Sequence, residues 1–208
     1  MLQVLESITS SVQKFITGAP AEEENPLRKP DRVRVLGSYS HHSAFALDSG
    51  LLNYAAQKAV AEINEALVSK GRKVSIVFRG LSGSTIAGAI LAEASRKGVE
   101  IGAFYVRKEF EDSHGTKVEY GTPWPASQTE VFVIVDDFVD SGNTIKEMYE
   151  VIAAEYPAIY EAEIGHKNGA EAPDVEWGIC LIEDSKIHNV FANGFNISFM
   201  KHRFGCYF

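Results

Sequence analysis

The segment VFVIVDDFVDSGNT, from Val131 to Thr144, joins an apolar run directly to two acids and a small polar turn. Val131–Val135 is fully apolar, which predicts a strand, and Thr144–Glu155 is predicted to be the helix that follows. Asp136 and Asp137 therefore stand at the carboxyl end of a strand, and the turn after them leads into a helix N-terminus.

Further strands and helices alternate around this segment. Val74–Phe78 and Ile101–Val106 are predicted to be strands, and a helix is predicted over Ile86–Ala94. Such alternation is typical of an α/β fold with a parallel sheet flanked by helices on both faces. In open sheets of this kind, ligands bind at the carboxyl ends of the strands, where helix N-termini begin.

The remaining chain is less regular. Apolar residues at helical spacing predict a helix over residues 3–17 and another from Ser49 to about Gly71, and Val33–Leu36 alternates like a short strand. Arg107–Gln128 is polar and contains Gly and Pro, which predicts a long loop. Loops of that length inside a compact domain are usually functional.

Composition limits the classes of protein. The 208 residues are 45% hydrophobic and 23% charged, which is ordinary for a soluble globular chain. A net charge of −8 argues against a nucleic-acid surface. Two cysteines without metal or disulfide spacing, no signal-like N-terminus and no membrane-length apolar run together predict a cytoplasmic protein.

The turn after the two acids is suited to hold a phosphate. Its backbone amides, with the hydroxyls of Ser141 and Thr144, can surround a phosphate at the positive end of the next helix, and Gly142 allows close approach. The carboxylates of Asp136 and Asp137 can accept hydrogen bonds from a vicinal diol and can hold Mg²⁺ directly or through water. The alternative is a strand end whose turn only caps the helix, but capping needs a single acid.

The order of an apolar strand, two acids, two apolar residues and a D-S-G-x-T loop resembles the phosphoribosyl-pyrophosphate motif of type I phosphoribosyltransferases. This resemblance implies their α/β fold with a small hood from terminal segments, Mg²⁺ as cofactor, and transfer of the phosphoribosyl group of phosphoribosyl pyrophosphate (PRPP) to a nucleobase. It also implies that Asp136 and Asp137 hold the ribose hydroxyls and the metal. The residues implied to bind the 5′-phosphate of PRPP are Asp140, Ser141, Gly142, Asn143 and Thr144.

A second glycine-rich turn, Arg79–Thr85, lies one βαβα unit earlier and resembles the family's pyrophosphate loop. Backbone amides from Gly80 to Ser84 could meet the pyrophosphate, and Arg79 would add charge and bidentate geometry. The alternative is a tight turn that serves packing alone. The residues implied to bind pyrophosphate are Arg79, Gly80, Leu81, Ser82, Gly83, Arg107 and Lys108.

The long loop begins RKEFEDSHG, Arg107–Gly115, which resembles the flexible lid of orotate phosphoribosyltransferases. Lid closure would exclude water, and Arg107, Lys108 and His114 would stabilise the charge that leaves with pyrophosphate. Lys108 and His114 are therefore predicted to be catalytic. Glu111 stands where the orotate enzymes place a catalytic lysine, and a merely solvated loop is the alternative.

The acceptor is predicted to be a purine or an orotate-like pyrimidine. Orotate enzymes usually have threonine where this chain has Asp140, and an acid there resembles the hypoxanthine-guanine and xanthine enzymes. Asp140 is predicted either to take the proton from the accepting nitrogen, as a catalytic residue, or to cap the phosphate loop. Lys167 and Trp177 are predicted to bind the base, and the alternatives are a solvated lysine and a core tryptophan.

Three segments are predicted from this reading. Residues 1–50 hold the N-terminal helix and a hood segment, residues 51–185 form the phosphoribosyltransferase core, and the aromatic segment 186–208 forms a hood or an interface. A homodimer is expected because dimers are common among relatives. A non-catalytic PRPP-binding regulatory protein of the same fold is the alternative to an enzyme, since Glu111 replaces the lid lysine.

Overall fold

The structure, a computed structural model, describes residues 49–108, 116–137, 141–165 and 174–181, and the backbone of residues 200–205. These residues all belong to one compact unit, Pro30–Tyr207. Its helices are α1 Ser49–Ala66, α2 Gly80–Lys97 and α3 Asn143–Ile164, with 3-10 turns at Val68–Lys70 and Ala126–Gln128. Its strands are β1 Val74–Phe78, β2 Gly102–Val106, β3 Val118–Gly121, β4 Val131–Asp136, β5 Glu176–Leu181 and β6 Met200–Gly205. Within the described residues, no helix has the length and apolar character needed to cross a bilayer.

The strands of the described chain form one sheet in the order β3-β2-β1-β4-β5-β6. Neighbouring strands run parallel except β3, which is antiparallel to β2. The predicted strands coincide with β1, β2 and β4 to within one residue at each end. The predicted α/β class with a parallel sheet is therefore confirmed.

Helices cover both faces of this sheet. Phe132 and Ile134 of β4 lie in the core cluster that Met148 of α3 also enters. Val133 is equally buried, and it points to the opposite face because successive side chains of a strand alternate. α2 contacts β4 and β1, buries Ile90, and packs in turn against α1, so these two helices cover that second face.

The predicted loop Arg107–Gln128 is wrong in part, because Val118–Gly121 forms the edge strand β3. This strand pairs with β2 in the register Phe104↔Tyr120, and the two rings stack with centroids 5.2 Å apart. Of its four residues only Val118 is buried, so no alternating pattern marks the strand in the sequence. Residues 109–115 of the predicted lid lie outside the described residues.

Helix α3 runs to Ile164, well beyond its predicted end at Glu155. Pro157 lies inside it, where the missing amide removes one backbone hydrogen bond. Tertiary contacts hold the later turns: the hydroxyl of Tyr156 donates to the carbonyls of Ala126 and Thr129, both at 3.2 Å. Glu163 also accepts hydrogen bonds from the first amides of the 3-10 turn Ala126–Gln128, at 3.1 and 2.6 Å.

The terminal segments are described only in part. The predicted helix over residues 3–17 and the predicted strand Val33–Leu36 lie outside the described residues, and so does the predicted hood segment 1–50 except for its last two residues. Within the predicted C-terminal segment 186–208, Met200–Gly205 forms β6 and pairs with β5. This part of the segment thus adds a strand to the sheet.

Candidate active site

A cavity of about 370 Å³ lies at the carboxyl ends of β1 and β4, which are neighbours in the sheet. Each of these strands leads into a helix, β1 into α2 and β4 into α3, and residues from both helix N-termini line the cavity. The two glycine-rich turns of the sequence are thereby brought to one site. The lining residues are Arg79, Gly80, Leu81, Ser82, Gly83, Lys108, Asp136, Asp137, Ser141, Gly142, Thr144, Ile145 and Glu147.

The carboxylates of Asp136 and Asp137 are buried at this cavity, with 9% and 6% of each residue exposed. The backbone amide of Asp137 donates to Oδ1 of Asp136 at 3.0 Å. Burial raises the pKa of Asp136 well above its ordinary value, the negative charge of Asp137 raises it further, and Lys108 acts in the opposite direction. A cation or a set of hydrogen-bond donors on a ligand would relieve this crowding of negative charge.

Oδ2 of Asp137 is free to accept a further partner, because it is buried and has no hydrogen-bond partner among the described residues. Most buried side-chain polar atoms in proteins have a hydrogen-bond partner, which can be an ordered water or an ion. The described part of the chain contains no group of three or more His, Cys, Asp or Glu side chains that could hold a metal. A cation bound here would therefore be held by the aspartate pair and completed by water or ligand oxygens, as Mg²⁺ commonly is.

The turn before α3 allows close approach of its backbone. Gly142 has a φ of 83°, a left-handed conformation that strains residues with a Cβ. Oγ of Ser141 accepts a hydrogen bond from the amide of Asn143 at 3.3 Å. Ser141, Gly142 and Thr144 line the cavity, whereas Asn143 does not. Asp140 lies outside the described residues.

The second turn is the first turn of α2. The sequence predicts a helix from Ile86, but α2 begins at Gly80, and Oγ of Ser84 donates to the carbonyl of Gly80 at 2.6 Å. The side chain of the N-cap residue Arg79 makes no capping hydrogen bond, so the first amides of the helix can serve an anion. Gly80 has a φ of 67°, and a Cβ there would stand 3.1 Å from Cε of Lys108, so glycine keeps room for that lysine.

Among the described lining residues, Arg79 and Lys108 are the cations. Nη1 of Arg79 forms an ion pair with Oε2 of Glu147 on α3, and only 11% of the Arg79 side chain is exposed. Nε of Arg79 is buried without a hydrogen-bond partner among the described residues. The sequence did not single out Glu147, although its spacing of three residues from Thr144 predicts that both share one face of α3.

Arg107 was predicted to bind pyrophosphate, but it does not line the cavity. Its side chain, 12% exposed, pairs with Glu119 of β3, and its amide donates to the carbonyl of Lys117 at 2.9 Å. The pairing of β2 with β3 therefore holds Arg107 beside Glu119, and the next residue, Lys108, lines the cavity. His114 lies outside the described residues.

Trp177 belongs to the hydrophobic core, with 4% of the residue exposed. Its ring contacts Phe132 and Tyr149 at centroid distances of 5.2 and 4.7 Å. Trp177 pairs with Phe132 near the start of β5, whereas the cavity lies at the other end of the strands beside Asp136. The core interpretation thus replaces the predicted contact with a base, and Lys167 lies outside the described residues.

Solved structures that are similar to this chain have low sequence identity. A phosphoribosyltransferase from Corynebacterium diphtheriae is 20% identical over 80% of this chain and 82% of its own, with a TM-score of 0.49. An adenine phosphoribosyltransferase from Saccharomyces cerevisiae is 14% identical over 78% and 82%, with a TM-score of 0.49. An orotate phosphoribosyltransferase from Aeropyrum pernix is 16% identical over 78% and 75%, with a TM-score of 0.48. No curated protein matches the chain in sequence.

A family model, described as the phosphoribosyl transferase domain, matches residues 53–198. The matched segment covers most of the chain and includes both glycine-rich turns and the aspartate pair. The chain therefore belongs to the phosphoribosyl transferase domain family, and the predicted phosphoribosyltransferase enzyme is confirmed.

Proposed function

We propose that this enzyme transfers the phosphoribosyl group of PRPP to a purine or an orotate-like pyrimidine and releases pyrophosphate. The observation that carries the proposal is a single cavity that joins two helix N-termini, neither capped by the side chain of its N-cap residue, to a buried aspartate pair. A ligand with phosphate at both ends and a diol between them complements this arrangement, since amides at helix N-termini bind phosphate and carboxylates bind hydroxyls.

PRPP is proposed to lie across the cavity from one turn to the other. The 5′-phosphate is assigned to the turn Ser141–Thr144, and the ribose hydroxyls are assigned to Asp136 and Asp137. The diphosphate is assigned to the first turn of α2, with Arg79 and Lys108 supplying positive charge. The groups of the ligand fit this assignment, since both turns and the aspartate pair line one cavity.

Asp136 and Asp137 fit Mg²⁺, because they are buried oxygen donors with excess negative charge and Oδ2 of Asp137 has no partner among the described residues. When bound, Mg²⁺ would neutralise part of the charge on the diphosphate. The protein's share is to hold the carboxylates on the end of a buried strand, where their positions are fixed by the sheet.

In the proposed reaction a base nitrogen attacks C1′, the bond from C1′ to the diphosphate oxygen breaks, and its electron pair leaves with pyrophosphate. Arg79 and Lys108 would stabilise the charge that develops on the leaving group. The proton of the accepting nitrogen is assigned to Asp140, and His114 is assigned to the leaving group with Lys108. Lys167 is proposed to contact the base, while a homodimer and a cytoplasmic location stay predictions.

The first test is pyrophosphate release from PRPP and Mg²⁺ with orotate, uracil, adenine, hypoxanthine, guanine, xanthine or nicotinamide. We expect release with one base or one class of base, and an equal amount of the matching nucleoside monophosphate by chromatography. Reactions without base measure PRPP hydrolysis, and reactions with EDTA measure the need for the metal. PRPP binding without release across the whole panel would instead favour a regulatory protein.

A second prediction concerns Mg²⁺ alone. At about pH 8, millimolar MgCl₂ is expected to raise the Tm of the protein by about 3 °C, because a ligand that binds only the folded state stabilises it. The effect should shrink toward pH 5. The raised pKa of Asp136 means that protons compete with Mg²⁺ for this carboxylate as the pH falls. Without Mg²⁺ the stability changes in the opposite direction, because the contribution of Asp136 is present below its unfolded pKa and is lost as the pH rises through the folded pKa.

Thermal denaturation at both pH values measures this effect, with NaCl at equal ionic strength as the control. The Asp137→Asn variant, which lacks one charge of the pair, should lose the shift. A shift of equal size in this variant would place the metal elsewhere.

A further inference from the structure

One ion pair links the N-terminus of α2 to α3 at the cavity. It links Nη1 of Arg79, at the N-terminus of α2, to Oε2 of Glu147, in the second turn of α3. Both side chains line the cavity. The Arg79 side chain is 11% exposed and that of Glu147 is 55% exposed, so an enclosed cation is paired with an anion that has room to move.

Glu147 is an unexpected residue for the wall of an anion site. Among the described residues of the cavity wall, the acidic side chains are Asp136, Asp137 and Glu147, and the basic side chains are Arg79 and Lys108. The two aspartates have a use, since carboxylates can bind a diol and a cation. Glu147 is paired with an arginine, and its negative charge opposes any phosphate nearby.

A carboxylate and a phosphate bind a guanidinium group through the same hydrogen bonds and the same charge attraction. Glu147 therefore occupies a donor of Arg79 that a phosphate oxygen would use. We propose that Glu147 is an internal competitor for Arg79, which weakens binding of the diphosphate group and swings toward solvent when that group binds. The inference rests on the proposed function, because it takes the diphosphate as the ligand of Arg79.

The contacts of the pair favour exchange over a permanent bond. Ion pairs with a largely exposed partner contribute little to stability, so the release of Glu147 costs little. Arg79 also has a second donor ready, since its Nε is buried without a hydrogen-bond partner among the described residues. Once Glu147 leaves Nη1, a pair of diphosphate oxygens could engage Nη1 and Nη2 together, in the fork geometry that a guanidinium favours.

The test is the Glu147→Gln variant, which keeps the shape of the side chain and removes its charge. We expect the Kd of Mg²⁺-pyrophosphate and of Mg²⁺-PRPP to fall about five-fold at low salt, and the gain to shrink in about 0.5 M KCl. Ribose 5-phosphate, which has no diphosphate, should bind unchanged. Isothermal titration calorimetry measures all three ligands.

Glu150→Gln is the matched control, because Glu150 lies on the same helix, pairs with Lys146 at 3.7 Å and does not line the cavity. Damage to the fold could lower affinity but would not raise it for one class of ligand. Unchanged or weaker binding of both diphosphate ligands to Glu147→Gln would overturn the inference, and so would an equal gain for ribose 5-phosphate, which indicates general repulsion. If the wild type and all variants fail to bind PRPP, the proposed function itself is overturned.

Discussion

The double variant Asp136→Asn/Asp137→Asn is expected to lose phosphoribosyl transfer by about 10³-fold, because the proposed charge-assisted hydrogen bonds to the ribose and the proposed donors to Mg²⁺ are removed together. The side chains keep their size, and Oδ1 of residue 136 can still accept the hydrogen bond that the next amide donates at 3.0 Å. Steady-state release of pyrophosphate measures the loss. The matched control is Asp174→Asn, at an exposed position just before β5, which should keep full activity.

The same double variant is expected to be more stable than the wild type at about pH 8. The wild-type pair is buried, and the raised pKa of Asp136 shows that its ionised form is disfavoured in the folded state. The sign follows: the raised pKa makes the wild type lose stability as the pH rises through that value, and asparagine does not titrate. The gain should therefore vanish toward about pH 4.

Urea denaturation of both proteins across this pH range gives the unfolding free energies. An inactive variant that is also less stable at pH 8 would show that the carboxylates support the fold, and loss of activity would then carry no information about ligand binding. A variant that is inactive and more stable identifies the pair as a site whose ionised form is kept for function at the expense of stability.

Gly102→Ala is expected to give the largest loss of stability of any single change considered, about 3 kcal/mol in unfolding free energy. A Cβ on Gly102 would stand 2.4 Å from Oγ of Ser75 and 2.6 Å from Cγ2 of Thr122. Ser75 is fully buried and shares a hydrogen bond of 3.0 Å with Thr129. Relief of the clash would break that bond or move β2 away from β1, where Ser75 pairs with Gly102.

Gly88→Ala provides the matched control. A Cβ there would meet nothing within 4 Å, and the residue lies inside α2, where alanine is favoured over glycine. We expect a gain of about 0.5–1 kcal/mol from this change. Urea denaturation compares the two variants, and a loss of less than about 1 kcal/mol for Gly102→Ala would show that the sheet can widen at this point.

Much of the fold and of the cavity could be read from short segments. β1, β4 and the start of α3 follow from runs of neighbouring residues, and so do the aspartate pair and the turn at Gly142. Both turns resemble motifs of one family, and both follow strands of a parallel sheet. Because such strands end at the same edge of the sheet, the sequence also predicts that the two turns lie at one site. Each of these features depends on residues within one segment of chain.

Other side chains could not be assigned in this way, because their role depends on partners far along the chain. Arg107 is basic and follows a strand, yet the hairpin with β3 pairs it with Glu119. Trp177 is aromatic and follows a polar segment, yet its register beside Phe132 puts it in the core. Sequence pattern cannot decide between ligand and core for such residues, since both uses suit the same chemistry.

The sequence alone thus determined the sheet's central strands and the two glycine-rich turns, because each is specified by the local order of apolar, acidic and glycine residues. Only the tertiary structure revealed the edge strand β3, the extension of α3 beyond Pro157, and the pair of Arg79 and Glu147. These depend on contacts between distant segments, as with the 68 residues that separate Arg79 from Glu147. Chain order specifies a turn, whereas packing specifies which side chains meet across it.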